Sequence, residues 1–119
     1  MDLKLRKQVC SFELSKKLEE LGVKQDSFFY WNYMEDKKSK PDLITHQSDL
    51  VLEDGFNVRN YSAFTVAELG ELLLKEIYKY SVYLYPENLF NGRDENGTSE
   101  AETEADLRAL MLIRSLSLD

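Results

Sequence analysis

Residues 64–77 read FTVAELGELLLKEI, and two readings compete for them. Thr65 is followed three residues later by Glu68, ahead of an apolar run. This is the pattern of a capping box, in which a hydroxyl and a carboxylate each accept a backbone N–H at a helix start. Phe64 and Leu69 supply the apolar pair that steers the chain into the first turn. Val66, Leu69, Leu73 and Ile77 recur at spacings of three, four and four, so one helix face is apolar. The competing reading makes this the first helix of a DNA-reading helix-turn-helix, with Gly70 at the turn. That motif needs a second helix offering Arg, Lys, Asn or Gln to base edges. The residues after Gly70 instead continue the same stripe. At 78–86, YKYSVYLYP then switches to a period of two, the strand pattern. The segment reads as a core helix that feeds a strand.

Two more helices flank it. Ser11 can cap a helix over 11–21, with Glu13 in its first turn and Leu14, Leu18 and Leu21 on one face. Gly22 suits the left-handed position past its end, and Val23 can close onto Leu18. Thr103 and Asp106 have cap spacing at the head of TEADLRALMLIRSL. That helix is apolar over a wide arc, through Leu107, Leu110, Met111, Leu112, Ile113 and Leu116, so it packs on more than one neighbour or forms a subunit contact. SFFYWNYM, residues 27–34, is a dense aromatic strand. EDKKSKPD breaks it, LITHQ is a returning strand, and 48–60 reads as a short strand or an irregular connection. NGRDENGTS, residues 91–99, reads as a Gly- and Asn-rich loop. The order is α-β-β-(β)-α-β-α. This makes an α+β domain with three helices and a small antiparallel or mixed sheet of three to four strands. The 119 residues form one domain, 1–119, with a variable loop at about 35–60 and an acidic loop at about 87–103.

Charge and cysteine use narrow the classes. The chain carries −7, and residues 87–106 hold seven acids against Arg93, which is −6 of it. An acidic chain lacks the basic footprint of a phosphate-contacting surface, so no nucleic-acid partner is expected. Glu95, Glu100 and Glu102 could dock a basic partner. Cys10 stands alone and His46 is the only histidine, so neither a disulfide framework nor a zinc spacing exists. No metal or other cofactor is expected. DENGTSEAETEA lacks the ligand pattern of a calcium loop. The charged N-terminus has no apolar core of a signal peptide, and no apolar run is long enough to span a bilayer, so a cytoplasmic location is expected.

The blocks CSFELSKKLEELGVKQDSFFYW, YSAFTVAELGELL and TEADLRALMLI resemble, in sequence and order, those of a family of small uncharacterised proteins. The family is encoded by phages, prophages and mobile elements of bacteria, notably gut Bacteroidetes and Firmicutes. The resemblance implies a bacterial or phage origin and carries no activity or site residues.

No residue set spells out a reaction, so the balance leans away from an enzyme. The aromatics Phe28, Phe29, Tyr30, Trp31 and Tyr33, with Tyr78, Tyr80, Tyr83 and Tyr85, would line a shared sheet as core or as a binding surface. The expected function is a protein-interaction or self-associating module, with a homodimer among the outcomes. Its candidate surface comprises Trp31, Tyr33, Tyr83 and Tyr85 together with the three glutamates. Two alternatives are a small enzyme with a carboxylate or Cys10 site, and an acidic mimic of nucleic acid.

Overall fold

The computed structural model describes residues 3–34, 40–45, 58–77, 80–84 and 89–117. A single-turn α1 (Leu3–Arg6) precedes α2 (Phe12–Glu20), β1 (Tyr30–Met34), β2 (Asp42–Ile44) and β3 (Val58–Ser62). α3 (Val66–Glu76), β4 (Tyr80–Leu84), β5 (Phe90–Asp94), β6 (Gly97–Ala101) and α4 (Glu104–Leu116) follow. The class is α+β, as the sequence pattern implies. His46 and most of 48–60 lie outside the described residues.

The three long helices start where their caps place them. Thr65 accepts the Glu68 N–H at 3.2 Å, and the Glu68 carboxylate accepts the Thr65 N–H at 2.9 Å, which completes the capping box of α3. The second Glu68 oxygen accepts the Phe28 N–H at 3.1 Å, so one side chain also ties the approach to β1. Ser11 caps α2 and Thr103 caps α4. α2 closes at Gly22, φ +89°, with Val23 N–H donating to Leu18 O at 3.1 Å and Gly22 N–H to Glu19 O at 3.0 Å. This is the Schellman closure, which returns orphan carbonyls to hydrogen bonding.

The sheet differs from the expected single one. β1 lies between β2 and β3, and β5 lies between β4 and β6, giving two antiparallel three-stranded sheets. The acidic segment read as a loop is largely a β-hairpin, with Asp94 opposite Gly97 across a turn at Glu95 and Asn96. Asp94 accepts the Asn96 N–H at 2.7 Å, and Gly97 takes φ +130°. Asn, Gly and Asp are poor strand formers, so the strand state of 90–94 comes from packing. Gly92 opposite Val82 shows the reason. A Cβ on Gly92 would collide with the Met111 sulfur and press on Leu107, so the missing side chain lets α4 lie directly on β5.

α4 is the central element. It packs against α2, α3, β5 and β6, which explains its wide apolar arc without a subunit contact. Its buried face, Ala105, Leu107, Ala109, Met111 and Leu112, joins Leu18, Leu69, Leu73 and Ile77 in the main core. A smaller core of Val9, Trp31, Leu43 and Ala63, with Leu5, Phe12 and Phe29 packed against it, lies against the first sheet.

Gly70 is not a turn. α3 runs straight through it, and the position is buried where α3 meets α4. A Cβ there would sit 2.5 Å from Arg108 Nη1. That guanidinium is held by Glu104 at 2.7 Å and by the Tyr80 hydroxyl at 3.0 Å. Gly70→Ala should therefore push aside the Arg108 head, the flexible end of a long side chain, and change stability by less than about 1 kcal/mol, the lost contacts offsetting the helix-propensity gain. In an Arg108→Ala background the same change should stabilise by about 1 kcal/mol, the usual helix-propensity gain. Urea unfolding of the four-member cycle measures the difference between the two backgrounds, and an equal gain in both would contradict the contact.

Candidate functional site

Cys10 is the only cysteine of the chain, and the fold seals it. It has no exposed surface. Its sulfur lies 2.9 Å from Ser15 Oγ, and its N–H donates to Phe64 O at 3.0 Å. Burial pushes the thiol up to about 11, only partly opposed by the Ser15 and Phe64 hydrogen bonds. A nucleophilic cysteine needs the opposite shift, so at neutral pH this one stays a protonated core thiol.

Trp31 was expected on an interaction surface and is instead core. It is 5% exposed, and its Nε1–H donates to Cys10 O at 2.9 Å, with the Arg6 guanidinium 5.4 Å from the ring centroid. Tyr33 is half-buried, with its ring centroid 5.1 Å from that of Phe12. The expected shared aromatic sheet is not formed, because β1 and β4 belong to different sheets. Tyr83 lies in β4 opposite Asn91. Tyr78 and Tyr85 lie outside the described residues.

The acidic window divides by role. Glu95, Glu100 and Glu102 are exposed on and beside the hairpin. Asp94 has a fully buried side chain that pairs with Arg114 at 3.2 Å, and Arg114 also donates to Thr98 O. Glu104 holds Arg108. Asp106 accepts the Ser11 N–H at 2.7 Å, which joins the N-terminal ends of α2 and α4. Three of the six acids of the 87–106 window that the structure describes, Asp94, Glu104 and Asp106, thus hold structural contacts. Arg108 pairs with Glu104 at the local i,i+4 spacing, whereas Arg114 carried no local signal, because it reaches Asp94 and Thr98 only through tertiary packing.

The open surface lies at the strand edges. β4 has β5 on one side and no second strand among the described residues. It reads YSVYL, without a charge, and Leu84 at its end is 60% exposed. The other three edges each carry charge: Asp42 in β2, Arg59 in β3 and Glu100 in β6. Among the described residues, no three His, Cys, Asp or Glu side chains gather as metal ligands, and no helix is long and apolar enough to cross a membrane. No family model, curated protein or solved structure matches the chain.

Asp106 yields a pH test. Burial is the main cause that raises its carboxyl above the ordinary value, with Glu13 and Glu102 adding to it; the Ser11 hydrogen bonds oppose the shift. The folded state therefore holds this proton to higher pH than the unfolded chain does. That contribution is full below the unfolded value and is lost as pH rises through the folded one. Asn keeps an acceptor for Ser11 but does not titrate. The stability of the native protein minus that of Asp106→Asn should fall as pH rises from about 3 and level off once Asp106 is ionised. Urea midpoints across the range measure it, and a flat or rising difference contradicts the assignment.

Proposed function

We propose that this chain is a non-enzymatic interaction protein that self-associates through the β4 edge. It would act in the cytoplasm of a bacterial host and belong to the phage and prophage type that its sequence blocks resemble. One observation carries the reading: β4 is an edge without a charged residue and has one strand partner among the described residues. Exposed edges present unpaired backbone N–H and C=O groups, and natural proteins usually blunt them with charge, proline or a covering element. In a chain of −7, an edge without charge also lets a second copy approach without like-charge opposition.

The strand is self-complementary. Antiparallel pairing about Val82 sets Tyr80 opposite Leu84 and Ser81 opposite Tyr83, so each copy repeats the contacts of the other, as a two-fold interface requires. The two sheets would then merge into one of six strands. Cross-strand aromatic and aliphatic pairs contribute roughly 0.2–1 kcal/mol each, in addition to the backbone bonds. The buried, protonated Cys10 thiol gives the alternative enzyme reading no nucleophile. The exposed Glu100 and Glu102 lie on and beside β6, at the far side of the sheet from β4, where a basic partner could meet them.

Sedimentation equilibrium of the full chain tests the proposal. A concentration-dependent dimer is expected. Leu84→Lys should weaken it about tenfold, by placing a charge on the edge, while an exposed position leaves thermal stability within about 0.5 kcal/mol. A monomer at every concentration, or a dimer indifferent to Leu84→Lys, overturns it.

A further inference from the structure

We infer that a groove at the shared end of the three long helices binds a free aliphatic α-amino acid. Its cavity volume is ≈ 220 Å³, and its apolar lining is Leu21, Val23, Leu72, Leu112 and Leu116. Three exposed charged residues stand at the rim, Lys24, Lys75 and Glu76. The site lies apart from β4 and does not rest on the self-association reading.

Size and charge select the ligand class. A cavity of about 150 Å³ holds benzene, six heavy atoms. In proportion this one holds roughly nine, the number in leucine, and it lies below the roughly 300–1,000 Å³ of drug-sized sites. The lysines supply donors for a carboxylate, and neither has an ion-pair partner among the described residues. An anion alone would meet opposition, however. α2, α3 and α4 all end here, and helix C-terminal ends carry partial negative charge. Together with Glu76 they favour an ammonium group. A ligand with a carboxylate, an ammonium and a branched aliphatic side chain satisfies both sets and covers the leucine floor. Leu112 of the floor belongs to the main core, and Gly22 beside it closes α2.

Backbone-amide NMR titration of the full chain with L-leucine tests the site, with N-acetyl-leucine and leucinamide in parallel arms. Leucine should give saturable shifts centred on residues 21–24, 72–76 and 112–116, with an affinity in the millimolar range, as so small a ligand allows. Each arm lacking one charge should bind about threefold more weakly, the size of an exposed ion pair. The Lys24→Gln, Lys75→Gln double variant should weaken leucine by a similar or larger factor while leaving the amide spectrum elsewhere intact. Absence of saturable shifts, or shifts centred elsewhere, overturns the inference. Equal binding of N-acetyl-leucine would assign the groove to a peptide C-terminus, and equal binding of leucinamide to an N-terminus. Either result overturns the free amino acid, as does an unchanged affinity in the lysine variant.

Discussion

The backbone at Val9, Cys10 and Ser11 passes through the interior between two cores, and its polar groups must be met there by other parts of the chain. The Cys10 N–H donates to Phe64 O, and the Cys10 carbonyl accepts the Trp31 indole N–H. The Ser11 N–H donates to the Asp106 carboxylate, and Val9 bridges to Thr65. A buried N–H or C=O left unpaired costs about 1–3 kcal/mol. This short stretch therefore holds β1, the start of α3 and the start of α4 in fixed relation. Removing any one of those elements would orphan a buried group. The small core around Val9 and Trp31 and the main core around Leu18 and Leu112 meet at this seam.

α4 depends on close approach as well as on apolar area. Two glycines clear its path on opposite sides, Gly70 beneath the Arg108 head and Gly92 beneath Met111. Where the helix comes this near, its arginines have short routes to neighbours: Arg108 to Glu104 and Tyr80, Arg114 to Asp94 and Thr98. Half-buried, charge-assisted contacts of this kind lose less to solvent screening than exposed pairs do. They staple the hairpin and the start of β4 to the same helix.

Function follows from how the fold distributes chemistry. Two groups that chemistry could have used are inside and engaged, Cys10 as a protonated thiol and Asp106 through Ser11. What faces outward is a strand edge without charge, an acidic hairpin and a leucine-lined groove with a rim of both signs. The proposed self-pairing uses the edge, and the proposed amino-acid site uses the groove.

Helix boundaries were legible in the sequence because caps are local. Thr65 with Glu68, Ser11, Thr103 and the left-handed Gly22 act on groups within a few residues, so their spacing alone states where each helix starts or stops. The wide arc of α4 likewise announced several neighbours without naming them. Strand membership was not legible for FNGRD, whose weak propensity is overridden by α4 lying on Gly92. Nor could the aromatic run show that Trp31 turns inward to Cys10 while Tyr33 stays half-exposed, since both faces of β1 read as apolar. The division of the strands into two sheets, the use of Gly70 as a contact point and the status of β4 as an edge all depend on residues distant along the chain. Sequence determined the elements through short-range hydrogen bonding and periodicity. The tertiary structure alone decided which strands became edges among the described residues, because that is settled by packing across the whole molecule.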